Sequence, residues 1–137
     1  MRYLLDTNVC IALINGNPAS VRAQFEKGLR AGSAAFVSSI VVFELCYGIA
    51  KSANPETSGQ RLTRFLSGPV SILPFQEEDA RAAGKIRAET EAIGRPVGAY
   101  DLLIAGQALR HEMTLVTANT REFGRIKNLL WGGWTRS

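Results

Sequence analysis

Three carboxylates in this chain occupy places where an acid is costly. Asp6 closes the apolar run of "YLLDTN". Glu44 sits in "IVVFELCYGI", with apolar residues on both sides, and Asp101 sits in "AYDLLIAG". Burial disfavours the charged form of an acid, so acids are seldom buried without a partner. On a helical wheel the apolar neighbours of Glu44 cover nearly every direction, which predicts an enclosed side chain. Each acid has a plain structural explanation. Asp6 can cap a helix, Glu44 can pair with a buried arginine, and Asp101 can answer a helix dipole. The three together are harder to explain that way. Carboxylates that converge repel one another, and a divalent cation removes the repulsion. A set of oxygen donors with no His or Cys suits Mg²⁺ or Mn²⁺ rather than zinc.

Other chemistries lack their signatures. There is no GxSxG and no GxxxxGK[ST]. The single histidine, His111, falls at a helix end before a strand, where it is expected to cap the helix. Cys10 and Cys46 lie in apolar stretches without a CxxC. Both are expected to be buried, reduced thiols. Acids, a metal and a basic domain without a nucleotide-binding loop point to phosphodiester hydrolysis. The metal would lower the pKa of a water and neutralise phosphate charge.

The elements that must position these acids can be read from periodicity. Strands are expected at residues 3–5, 34–38, 70–75, 114–117 and 129–131. Helices are expected over 7–16, 18–32, 39–52, 54–68, 77–94 and 99–112. Residues 118–126 read as a loop or short helix. Ser38 or Ser39 should cap the third helix. The acids at the start of the fifth match the dipole at its N-terminus. Strands separated by helices throughout imply an α/β fold, a mostly parallel sheet of four to five strands with helices on both faces. In such sheets functional groups gather beyond the carboxyl ends of the strands. Asp6 follows the first strand. Thr117, Asn119 and Glu122 follow the fourth. The fold class alone puts them on one edge.

The 137 residues predict a single domain, 1–137, that is 46% apolar and carries a net charge of +4. From Arg121 onward, Arg121, Arg125, Lys127 and Arg136 stand against Glu122 alone, which is 4 − 1 = +3 of that charge. A basic end suggests a polyanionic partner. No apolar run reaches the ~20 residues of a membrane span, and no signal-peptide core follows Met1. A soluble, intracellular protein is expected.

These motifs, taken in order, resemble the PIN-domain ribonucleases. They are "LLDTN", the glutamate of "VVFELCYGI", "GRPVGAYDLLIAGQAL" and "TLVTANTREFGRI". The likeness covers nearly the whole chain and is strongest to the VapC toxins of toxin–antitoxin pairs. It implies a PIN-like fold and a Mg²⁺- or Mn²⁺-dependent endoribonuclease of the bacterial cytoplasm. By motif position Asp6, Glu44 and Asp101 would be acidic metal ligands. Many members carry a fourth acid where this chain has Asn119. The Asn119 amide oxygen could still ligate, Glu122 could supply the missing carboxylate, and Thr117 could orient a water. The resemblance further implies cleavage of structured RNA in a single-stranded loop, tRNA first and initiator tRNA within the subgroup. It implies a VapB-type antitoxin, a homodimer within larger assemblies, and operator DNA contacted only through the antitoxin. Arg95, Arg121 and Arg125 are expected to hold RNA phosphates. Ile11, Ile14, Phe25 and Tyr47 are expected to be exposed and to form the antitoxin groove. The alternative is a PIN-fold binding module with weak or no nuclease activity, serving a DNA-binding complex.

Overall fold

Beginning at Arg2, a strand that is exposed at its first residue sinks into the core within two more. The computed structural model describes residues 1–134; Arg136, part of the expected basic end, lies outside them. The elements run β1 (Arg2–Leu5), α1 (Thr7–Asn15), α2 (Ala19–Arg30), β2 (Ala34–Ser38), α3 (Ser39–Ala50) and α4 (Pro55–Leu66). They continue with β3 (Ser71–Leu73), α5 (Glu77–Ala92), α6 (Ala99–His111), β4 (Thr114–Val116), α7 (Thr120–Phe123) and β5 (Trp131–Gly132). The five strands form one sheet in the order β3-β2-β1-β4-β5, and every pairing is parallel. Parallel neighbours need long crossovers, and the helices supply them. Leu4, Leu5, Val37, Leu115 and Val116 are all but fully buried, so the central strands are covered by helices on both faces.

The order of the strands decides where the site can be. The chain lays β2 and β3 on one side of β1, then crosses back and lays β4 and β5 on the other. The direction reverses between β1 and β4, and in sheets of this kind ligands bind beyond the carboxyl ends of the strands at such a switch point. Register brings the two ends level. Leu5 pairs with Val116, so Asp6 and Thr117 are the next residues out on adjacent strands.

Local signals explain the boundaries. Asp6 caps α1 by accepting the Val9 N–H, and Ser38 caps α3 by accepting the Ile40 N–H. Gly16 ends α1 in the left-handed region at φ 70°, a conformation that favours glycine. Gly106 lets α6 press against α5, since a Cβ there would lie 2.6 Å from the Ala83 nitrogen. His111 stands in the last turn of α6, as its position in the sequence suggests.

Three expectations fail. The last strand is Trp131–Gly132, not 129–131. Leu129 turns into the core, and the ladder starts only where Leu115 N donates to Leu130 O (2.8 Å) and Thr117 N to Gly132 O (2.9 Å). Phe25 is not an exposed groove residue. It is 6% exposed, on the inner face of α2, against the Trp134 ring. Cys10 is buried but Cys46 is exposed. Helix α3 is apolar on all sides yet buries only one of them, through Val41 and Leu45. Phe43, Cys46 and Tyr47 are left facing outward. An all-apolar helix was expected to be enclosed, and this domain does not enclose it.

Candidate active site

Four elements each bring one acid to the carboxyl edge of β1 and β4. Asp6 stands at the β1–α1 junction, Glu44 midway along α3, Asp101 in the first turn of α6, and Glu122 in α7. Asp6 is buried, and the other three are half-buried. Glu44 is therefore less enclosed than its apolar neighbours imply, because the outer face of α3 is open.

Neutral groups hold these acids. The Thr7 hydroxyl donates to Glu44 Oε1 at 2.9 Å and ties α1 to α3. Asp6 Oδ1 accepts the Val9 N–H at 2.9 Å, and its Oδ2 accepts the Thr117 hydroxyl. Thr117 is fully buried, and its oxygen also accepts the Asn119 N–H at 2.9 Å. The Thr117 hydroxyl commits its one donor to Asp6 and an acceptor site to the Asn119 N–H, and its full burial sets it apart from the expected water-orienting role. It positions Asp6 instead. The Asn119 side-chain amide donates to Asp101 Oδ2 at 3.3 Å and to Glu122 Oε2 at 3.1 Å. The Gly98 N–H also supports Glu122. Sequence reasoning missed Thr7 and Gly98. Thr7 looked like a helix-starting residue only, and a backbone N–H leaves no residue-type signal.

The electrostatics show a cluster short of positive charge. Asp6 is pushed above the usual carboxylate range by burial first and by Glu44, against the pull of its hydrogen bonds. Asp101 is raised to about 7 by burial, then by its hydrogen bond with Glu122 and the charges of Glu122, Asp6 and Glu44. Glu122 moves the other way, held low by Asp101, Asn119, Arg125 and Gly98. The two carboxyls move in opposite directions because they titrate as an interacting pair. Asp101 feels the charges of Glu122, Asp6 and Glu44, and Asp6 feels Glu44, so the structure brings these four acids together around Asp101, with Asn119 between Asp101 and Glu122.

The predicted RNA-binding arginines divide. Arg125 contributes its charge to Glu122, while its Nη1 donates to Pro96 O at 2.8 Å. Arg95 and Arg121 are exposed.

A parallel sheet with four acids gathered at its switch point defines a class of acid-centred α/β domain, and the comparisons say which. The PIN domain model matches residues 3–129. The chain is 40% identical over 135 residues to the tRNA(fMet)-specific endonuclease VapC of Shigella flexneri, covering 98% of this chain and 99% of that protein. It is 40% identical over 136 residues to Ribonuclease VapC2 of Rickettsia felis, covering 99% and 100%. Among solved structures, VapBC2 from Rickettsia felis bound to a DNA fragment from their promoter superposes with a TM-score of 0.91 at 39% identity, covering 98% of this chain and 99% of that one. VapBC-1 from nontypeable Haemophilus influenzae gives 0.88 at 34% identity, covering 99% and 100%. The chain belongs to the PIN-domain family, in its VapC branch.

Proposed function

We propose that this chain is a metal-dependent endoribonuclease toxin that cuts structured RNA, tRNA first, and so stops translation. The observation that carries this reading is the gathering of four carboxylates from four elements around one edge, where burial and the neighbouring acids raise Asp101 to about 7. The relatives named as a tRNA(fMet)-specific endonuclease and a ribonuclease support the substrate class.

The donor set fits Mg²⁺ or Mn²⁺. It offers only oxygen ligands, as hard cations prefer. Among the described residues no three acid, His or Cys side chains stand placed to hold one ion directly. Mg²⁺ keeps several of its waters and needs only one or two carboxylates bound directly, the others acting through those waters. Asp6, Glu44 and Asp101 would hold the ion between them, directly or through its waters, with Asn119 hydrogen-bonded beside Asp101. When bound, the ion supplies a lowered water pKa and neutralises charge on the scissile phosphate. The chain's own part is orientation and proton traffic. Thr117 and the Val9 N–H hold Asp6 rigid at the strand end, and Thr7 holds Glu44. Glu122, held low by Asp101 first and then by the Asn119 amide, stays ionised beside the centre and is the acid that would accept a proton there. It stands in for the acid that Asn119 replaces, which weighs against the binding-module alternative.

The partner is a VapB-type antitoxin, as in the VapBC complexes to which the chain is similar, with operator DNA reached through it. A groove of about 320 Å³ between α1, α3 and α4 supports this. Ile11 and Ile14 line it, and Glu44 stands at its margin, so a segment lying there reaches the acids. The homodimer has its support in the exposed aromatics Phe43, Tyr47 and Tyr100 on α3 and α6. Among the described residues no helix is long and apolar enough to cross a membrane. A bacterial cytoplasmic location follows from the toxin reading.

The test is cleavage of total cellular tRNA and ribosomal RNA by purified, antitoxin-free protein, with Mg²⁺, with chelator, and with Asp101→Asn. Metal-dependent cuts within one loop, lost in the variant, are expected. Absence of cuts by the folded wild type would overturn the reading.

A further inference from the structure

An acid-lined centre repels the polyanion it would cut unless cations flank it. Arg125 is such a cation, charged against Glu122 on one side. On its other side it lines a groove of about 470 Å³ between α5 and the 125–128 segment. Lys85 on α5 and Lys127 on the segment line the same groove, and Glu89 is the one acid there. Ile86 and Ile126 form an apolar base. Both lysines are exposed, and among the described residues no ion pair engages either. The Arg125 Nη1 bond to Pro96 O anchors this cation between the loop before α6 and the groove. Three cations, Arg125, Lys127 and Lys85, thus line one groove, and Arg125 joins that groove to the edge of the acid centre.

We infer that this groove carries the sugar–phosphate backbone of the substrate RNA away from the acid centre, with Lys85 and Lys127 holding phosphates outside the cut. The choice of ligand rests on the ribonuclease reading. Phosphate contacts position a nucleic acid without reading its sequence. The groove therefore sets affinity and register, and the acid centre sets the chemistry.

The experiment is filter binding of bulk tRNA to the full chain in Mg²⁺ over a salt series. Lys85→Glu/Lys127→Glu is compared with Lys27→Glu/Arg30→Glu, an equal change of net charge on exposed residues of α2. Binding by the groove pair is expected to weaken roughly tenfold at about 0.1 M salt, and its log–log salt slope to fall by about 1.5, two released contacts' worth. The α2 pair should keep the wild-type slope. A Lys85→Gln/Lys127→Gln pair should lower the slope by the same amount without added repulsion. An unchanged slope in the groove pairs, or an equal loss in the α2 pair, overturns the inference. Cleavage of the same tRNA tests the ribonuclease reading separately. Groove-dependent binding without cleavage sinks that reading and keeps the groove, whereas cleavage with groove-independent binding does the reverse.

Discussion

Asp79, at the first turn of α5, is fully buried, and its charge is answered on every side. Arg110 Nε donates to its Oδ1 at 2.5 Å, the Gln76 N–H donates to its Oδ2 at 2.7 Å, and His111 lies 3.8 Å away. Asp6, Glu44, Asp101 and Glu122 are less buried and far worse compensated. Their contacts are threonine hydroxyls, one asparagine amide and backbone N–H groups, with Arg125 alone adding positive charge. Burial by itself therefore does not mark a functional acid. A carboxylate given a cation by its own chain is part of the scaffold. A group of carboxylates denied one keeps room for a cation from outside.

Single substitutions at the two places should separate cleanly. Asp101→Asn should cut RNA cleavage about 10²–10⁴-fold, the scale of a lost acid–base or ligand group. It should leave the metal-free melting temperature at pH 8 unchanged or higher, because it removes a repelled charge. Steady-state cleavage and thermal melts of one preparation check both halves. A variant that loses activity only in proportion to lost folding would erase the distinction. Asp79→Asn should behave oppositely. It breaks the capping box and strands buried donors, a loss of about 2–3 kcal/mol. Melting should drop by about 10 °C, while activity per folded molecule stays near wild type.

The same contrast shows what could be read before the fold was known. Asp6 and Asp101 were visible because each interrupts an apolar run, and topology carried Glu122 to the same edge. Asp79 was hidden among Glu77 and Glu78, where it looked like one more acid at a helix start. Nothing local distinguishes the residue whose side chain turns inward to Arg110, thirty-one positions away in the chain. Glu44 was overstated for the reciprocal reason. An apolar wheel shows that a helix has no polar face, but not that the domain covers every face, and Phe43 and Tyr47 are 54% and 61% exposed. Tertiary partners decide such cases, and pattern alone does not contain them. Thr117 was legible as a residue at the site but not as a buried one, because its register beside Asp6 emerges only when β1 and β4 pair.

The acid centre should also give the metal-free protein a pH dependence. Asp101 is raised in the folded state, to about 7, against roughly 3.9 in an unfolded chain. A raised carboxyl contributes stability that is present in full below its unfolded value and is lost as pH rises through the folded one. Melting temperature in chelator should therefore fall between pH 5 and pH 8. Asp101→Asn should flatten the decline, and saturating Mg²⁺ should lessen it by neutralising the cluster. A decline of equal size in Asp101→Asn would assign it to some other group.

Asn119 offers the finest probe. Its amide is the nearest thing to a cation that the chain itself places between Asp101 and Glu122, at 3.3 and 3.1 Å. Asn119→Asp keeps the shape and turns two donated hydrogen bonds into repulsion. Without metal the variant should lose about 1.5–3 kcal/mol, the scale of hydrogen bonds to charged groups. With Mg²⁺ the added charge should tighten binding, so a titration followed by melting should saturate at lower metal concentration than in the wild type. The two effects have opposite signs because the amide does partially, at rest, what the ion would do fully. Were the substitution to destabilise the protein equally with and without metal, Asn119 would belong with Asp79, as scaffold.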